Sequence, residues 1–291
     1  MWNRVVLLVA GVACGWSLVH WASAAPERQR THLLRWVAGL VVGLGLAVWL
    51  GAGSPAAGVL ALFVFAGSAL VAWAANARQV NRTVEAEPLE APIRPLEGQQ
   101  GLALLLVLLG EPAAYDGPAH WAQRLEQRAQ ADGAVAHWFV RPWAYRRIRS
   151  AYQAMGAVNP QRAAIESLLP PLKRRLPHVD LMEAAWLYTA PTLANALTRL
   201  GQRGLRRIVL VAVDAQVPAE ALRDEVTRTR VREIGVQVEI AEPLEAGLWP
   251  LMHGDAALAQ LLQGLPLPAP APPDDARVAA LADALERRAA R

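Results

Sequence analysis

The sequence is short of cysteine, of lysine and of charge. Cys14 is the single cysteine among 291 residues, which excludes an internal disulfide framework and a metal site built from several cysteines. Lys173 is the single lysine, and all other basic side chains apart from histidine are arginine. We interpret this bias as an effect of base composition and do not predict nucleic-acid binding from the net charge of +4. Charged residues make up 19% of the chain, against roughly 25% in soluble domains.

The shortage of charge is concentrated in residues 1–77. The ionisable side chains of this stretch are those of Arg4, Cys14, His20, Glu27, Arg28, Arg30, His32 and Arg35. From Arg78 onward charged residues occur at ordinary density. This imbalance excludes a wholly soluble protein and one made only of membrane spans, and the 54% hydrophobic content excludes disorder. We therefore predict a membrane anchor over residues 1–77, followed by a soluble part.

Three apolar runs carry the prediction of an anchor. They cover residues 5–18 (extendable to 24), 36–50 and 55–75, close to the roughly 20 residues that a spanning helix requires. Tryptophans lie near the ends of these runs, as in an aromatic belt: Trp2, Trp21, Trp36, Trp49 and Trp73. The pattern predicts a multi-pass protein of a bacterial-type inner membrane, with three transmembrane helices in contact with lipid.

Arginines follow the first and third runs but not the second. They are Arg28, Arg30, Arg35, Arg78 and Arg82. Because cytoplasmic loops are enriched in arginine, we expect the first loop and the long C-terminal part to be cytoplasmic, with the N-terminus outside. A rival interpretation takes residues 22–24 (Ala-Ser-Ala) as a signal-peptidase site. Cleavage there would reverse the topology.

The soluble part alternates between strand and helix patterns. Residues 78–100 form an acidic, proline-broken linker, residues 101–265 an α/β domain, residues 266–273 a proline-rich linker and residues 274–291 a short helix. Strands are predicted at 102–109, 179–186, 207–213 and 235–240, and helices at 118–131, 142–155, 160–176, 191–202, 218–233 and 254–262. This order favours a parallel sheet covered by helices, with ligands at the carboxyl ends of the strands. The final helix has only a thin apolar stripe, for which we expect weak docking or fraying.

Polar residues follow two of the predicted strands. Glu111 comes after the first, and Asp214 and Gln216 come after the third. If the two carboxylates converge, they are candidates for a catalytic base or a cation-binding pair. The alternative is that they cap loops.

Aromatic and basic residues interleave over residues 137–152, HWFVRPWAYRRIRSAY. The side chains of interest are Arg141, Trp143, Arg146 and Arg147. Three interpretations stay open: a helix with buried aromatics and solvated arginines, a segment on an anionic membrane surface, or a site that stacks a flat ligand and pairs its carboxylates.

Three segments, in this order, resemble the N-terminal half of ferrochelatase, an enzyme of the type II chelatase fold. They are residues 104–112 (LLLVLLGEP), 152–160 (YQAMGAVNP) and 183–213. Tyr188 lies in a turn similar to the family's Tyr-x-x-Pro. Gln216 matches the family's Tyr-Pro-Gln, and Asp214 departs from it. The resemblance implies a chelatase-like domain and a tetrapyrrole ligand, either porphyrin or haem, with Gln216, Tyr188 and the four aromatic and basic residues as ligand contacts.

The resemblance also implies lost chemistry. Ferrochelatase has two similar halves, and the second supplies the metal-handling histidine and its acidic partner. This chain instead continues into the proline-rich linker, so Glu111 and Asp214 are the only catalytic candidates and we assign no metal ligand. We expect a non-catalytic protein that binds a tetrapyrrole or scaffolds a membrane complex concerned with haem, pigment or iron. The alternatives are an active chelatase completed as a homodimer, and a purely structural subunit with a membrane-protein partner.

Overall fold

The computed structural model describes residues 2–81, 101–132, 138–189, 191–203, 205–213, 216–245, 247–252, 254–271 and 274–290. Most of the predicted linker 78–100 lies outside these residues, as do His137, Asp214 and residues 272–273. The chain divides into two compact units. The first contains the described residues of Met1–Val84, Tyr115–Ala151 and Leu262–Leu265, and the second those of Glu85–Ala114, Tyr152–Leu261 and Pro266–Arg291.

The first unit is built on three long apolar helices, α1 (Trp2–Ser23), α2 (Pro26–Gly53) and α3 (Pro55–Val80). Each is long and apolar enough to cross a membrane, which confirms the predicted spans. The first predicted loop is shorter than expected, because α2 begins at Pro26 and Arg28, Arg30 and Arg35 lie on its first turns. A proline at the first helical position loses no hydrogen bond, which explains this early start.

Small residues bring α1 and α3 into close contact. A Cβ atom added at Gly15 would lie 2.0 Å from the carbonyl oxygen of Ala69, and one added at Gly11 would lie 2.5 Å from that of Phe65. Only glycine permits this approach of two backbones, as is common between membrane helices. The residues of the rival cleavage site are packed in the same unit, with Ala22 and Ser23 buried on α1.

Two further helices, α4 (Ala119–Asp132) and α5 (Arg141–Ala154), come after the first strand in sequence. The sequence predicts both as helices of the α/β domain that cover the sheet. In the structure, Tyr115–Ala151 belongs to the same unit as the three apolar helices. An amphipathic pattern identifies the buried face of a helix but not the surface that covers it, so this grouping could not be predicted from the sequence.

The second unit contains a four-stranded parallel sheet, as predicted. Its strands are β1 (Leu102–Leu108), β2 (Leu181–Trp186), β3 (Arg207–Ala212) and β4 (Gln237–Ala241), in the order β2-β1-β3-β4. Central strand β1 pairs with both β2 and β3. Its leucine-rich run is buried on both faces, as expected for a strand between two helical layers.

Helices cover both faces of the sheet. Leu104, Leu106 and Leu108 pack with α6 (Pro160–Arg175) and α10 (Asp275–Ala289), whereas the alternate residues of β1 pack with α7 (Leu193–Gln202) and α8 (Ala219–Thr229). The predicted helix 218–233 ends at Thr229, and a 3-10 turn, Val231–Ile234, follows it. The remaining helix, α9, covers Gly254–Leu262.

The expectation that the C-terminal helix docks weakly or frays is wrong. Val278, Leu281 and Leu285 on α10 are 4%, 1% and 0% exposed and belong to the core beneath the sheet. The proline-rich segment is also held in the second unit, because the amide of Gln161 donates to the carbonyl of Pro268 at 2.6 Å. The apolar stripe is thin, but alanines beside it are buried with it.

Candidate functional site

The strand order places a topological switch point at the carboxyl edge of the sheet. The strand that follows β1 in sequence, β2, pairs with one side of β1, and the next strand, β3, pairs with its other side. Ligands of open parallel sheets bind in the crevice where the strand order reverses in this way. Glu111 follows β1 and Gln216 follows β3, and these neighbouring parallel strands end at the same edge.

The turn after β1 is tightly fixed. Gly110 has φ +100°, and a Cβ there would lie 2.9 Å from Thr189 Oγ1 and 2.9 Å from Trp186 Cβ, so glycine is required. The hydroxyl of Tyr152 donates to the carbonyl of Pro112 at 2.7 Å. These contacts hold the backbone on either side of Glu111, whose side chain is buried at 7% exposure.

Arg162, on the first turn of α6, is a site residue that the sequence did not indicate. Its guanidinium carbon lies 3.8 Å from the ring centroid of Trp186, the last residue of β2. Burial lowers the pKa of Arg162, while Tyr152, Glu166 and Glu111 oppose the shift. A planar guanidinium that is oriented by an aromatic ring has the geometry that recognises carboxylates and phosphates. Only the fold brings residues 111, 162 and 186 together.

The other residues predicted at this edge have structural contacts. The side-chain oxygen of Gln216 accepts a hydrogen bond from the backbone N–H of Asp255 at 3.0 Å, at the start of α9. Tyr188 is half-buried against the core beside α7 and α8. Asp214 lies outside the described residues, so its proposed pairing with Glu111 is not described. Within the described ranges there is no group of three or more His, Cys, Asp or Glu side chains that could hold a metal.

The four aromatic and basic residues predicted as ligand contacts all lie in the first unit. The guanidinium carbon of Arg146 is 4.4 Å from the ring centroid of Trp21, at the end of α1. The ring of Trp143 lies 5.7 Å from that of Trp73 on α3. Arg141 donates to Glu126 at 2.6 Å, and Arg147 is exposed. Of the four residues, Trp143 and Arg146 therefore lie against tryptophans of the apolar helices.

Hydrogen bonds from Arg149 on α5 and from Tyr115 reach the carboxyl end of α1. Arg149, 2% exposed, donates to the carbonyls of Trp21 at 2.7 Å and Ala24 at 3.0 Å. Tyr115 donates to the carbonyl of Ser23 at 2.7 Å. Burial lowers the pKa of Arg149 and raises the pKa of Tyr115. The guanidinium therefore satisfies carbonyls that the end of α1 leaves without helical partners.

A scan against protein-family models and searches of curated proteins and of solved structures found no match to this chain.

Proposed function

We propose that this protein is a membrane-anchored, non-catalytic protein whose chelatase-like α/β domain binds a flat, acidic ligand of the tetrapyrrole class. The observation that carries the proposal is the stack of Arg162 on Trp186 at the carboxyl edge of the sheet, where the carboxylate of Glu111 also interacts electrostatically with Arg162. The resemblance to the ferrochelatase half adds the ligand class, porphyrin or haem. The guanidinium would pair with a ligand carboxylate.

The charge arrangement favours binding over catalysis. Arg162 suits the pairing of a ligand carboxylate, but a guanidinium cannot accept the pyrrole protons that are released on metal insertion. Gln216 is engaged with the start of α9. Both features support a domain that binds a ligand at this edge of the sheet.

The proposed orientation has the α/β domain in the cytoplasm of a bacterial cell. Helices α1, α2 and α3 are joined by connections of one or two residues and so run antiparallel. The end of α1, the start of α2 and the end of α3 then share one end of the unit, together with Arg28, Arg30 and Arg78. The positive-inside rule assigns this end to the cytoplasm.

The test uses the full chain in lipid nanodiscs. A fragment such as 96–265 would lose both α10, which is part of the core, and the helices that cover residues 115–151. Protoporphyrin and haem are titrated by absorbance and tryptophan quenching, and ferrous-ion insertion is assayed. Since hydrogen bonds to charged groups contribute about 1.5–3 kcal/mol, we expect Arg162→Gln to weaken binding by about tenfold or more.

The matched control is Arg174→Gln, an exposed arginine on the same helix, which we expect to bind as the wild type does. Equal affinity in Arg162→Gln and wild type would overturn the site assignment. Turnover that is lost in Glu111→Gln would instead favour an active chelatase.

The packing of α5 favours a second candidate function, a structural subunit of a membrane complex. Arg146 and Arg147 are both exposed on α5, and Arg146 stacks on Trp21 at the end of α1, where basic residues suit anionic headgroups. Cross-linking in native membranes would test for a membrane-protein partner or a homodimer. A cross-linked partner together with no tetrapyrrole binding would support this candidate.

A further inference from the structure

An apolar groove runs between α1 and α2 in the first unit, with a volume of about 530 Å³. This size falls within the range of about 300–1,000 Å³ that is typical of ligand sites. Small residues, including Ala13, Ala38 and Gly39, line it beside larger ones such as Val9 and Val42. The groove exists because these small side chains leave space between the two helices.

One end of the groove is polar. Ser17 lines it and is 1% exposed, and its hydroxyl has no hydrogen-bond partner among the described residues. Arg35 lines the same end, with its guanidinium carbon 5.9 Å from the ring centroid of Trp16. In the described part of the chain Arg35 forms no ion pair. A cation and a buried hydroxyl are therefore available beside an apolar channel.

We propose that this groove binds one anionic phospholipid, with an acyl chain between α1 and α2 and the phosphate at Arg35. The hydroxyl of Ser17 would donate to an ester carbonyl of the same lipid. From Ser17 to Trp2 the groove follows α1 for about 22 Å at ~1.5 Å per residue. One leaflet is half of a hydrocarbon core about 30 Å thick, so the groove is long enough to hold the acyl chain of a lipid in one leaflet.

Charge selects this occupant over a second copy of the chain. A symmetric contact brings the same surface of both copies together, so two Arg35 side chains would approach each other without a counter-charge from the groove. An anionic headgroup neutralises Arg35, and a zwitterionic headgroup does so less well. The site should therefore prefer phosphatidylglycerol to phosphatidylcholine.

Native mass spectrometry of the full chain tests this preference. The protein is stripped of lipid in mild detergent and offered phosphatidylglycerol and phosphatidylcholine with identical chains. We expect one bound lipid with a preference for phosphatidylglycerol of about fivefold, the equivalent of about 1 kcal/mol for one arginine near a headgroup. Arg35→Gln should abolish the preference, and Ala38→Phe should reduce binding of both lipids by filling the groove.

Two controls separate the groove from general surface effects. Arg30→Gln removes an exposed arginine of α2, and Ala66→Phe enlarges an exposed residue of α3; neither residue lines the groove. Both variants should retain the wild-type preference, and circular dichroism verifies that all four fold. Equal binding of the two lipids by the wild type would overturn the proposal. So would an equal loss in Arg30→Gln, or a lipid-free dimer as the dominant mass.

Discussion

Arg288 connects the last helix to the carboxyl edge of the sheet, and its replacement tests whether α10 belongs to the core. Its guanidinium donates to the carbonyls of Glu242 at 2.7 Å and Pro243 at 2.6 Å in the segment after β4. A third bond, at 2.9 Å, goes to Ala284 within α10. We therefore consider the variant Arg288→Met, which keeps an unbranched side chain for packing but removes the donors.

The expected loss is about 2–3 kcal/mol in the free energy of unfolding of this region. Two charge-assisted bonds that link separate elements are lost, each contributing about 1.5 kcal/mol at the low end of the usual range. The low end applies because Glu242 and Pro243 are exposed, so water can hydrate their carbonyls in the variant. The bond to Ala284 is local to the helix and adds little to docking.

Hydrogen exchange measured by mass spectrometry reports the loss of unfolding free energy for individual segments of the chain. At 1.4 kcal/mol per factor of ten, amides of α10 and β4 should exchange roughly thirty- to hundredfold faster in Arg288→Met. Arg287→Met is the matched control, since Arg287 is the adjacent residue and is exposed. Wild-type exchange in Arg288→Met, or equal acceleration in both variants, would refute the assignment of α10 to the core.

Three further predictions address the turn at the sheet edge and the attachment of α5. Gly110→Ala should destabilise the second unit by at least about 1–3 kcal/mol, because alanine is strained at φ +100° and its Cβ would meet Thr189; equilibrium denaturation would measure this. Arg149→Met should lower the thermal midpoint of the full chain in detergent by several degrees, since about 3 kcal/mol of charge-assisted bonding is lost, whereas Arg147→Met, on an exposed position of the same helix, should leave the midpoint unchanged. Burial raises the pKa of Tyr115 in the folded chain, so the protonated hydroxyl should stabilise the fold fully below the pKa of an unfolded tyrosine, about 10, and progressively less as pH rises above it. Alkaline denaturation, monitored by circular dichroism, should therefore depend less steeply on pH in Tyr115→Phe. An unchanged pH dependence would contradict this.

Strands and spans were predictable because each has a local signature. The predicted strand 102–109 corresponds to β1, which is one residue shorter. A run of leucines bounded by glycine is readable without tertiary information, since a strand buried on both faces needs apolar residues at every position. The three spans were predictable for the same reason, because lipid contact demands long uninterrupted apolar helices.

The site residues depend on contacts between distant parts of the chain, and the sequence was a poorer guide to them. Arg162 lies 24 positions before Trp186 in the sequence, and only the pairing of α6 with the end of β2 stacks them. Gln216 follows a strand, as a ligand-binding residue would, but its amide accepts from the start of α9. The position of a residue after a strand predicts that it lies at this edge of the sheet, but not whether its side chain already forms a hydrogen bond within the protein.

Trp143 and Arg146 of α5 pack with tryptophans at the ends of the apolar helices, although these residues are far apart in sequence. Trp143 lies against both Trp73 and Trp21, and Arg146 stacks on Trp21. Tryptophan and arginine both favour the headgroup level of a bilayer, so we infer that α5 lies at the membrane surface and not in the aqueous phase. On this basis Trp143 and Arg146 are held by the anchor, and the proposal of ligand binding rests on Arg162 at the edge of the sheet.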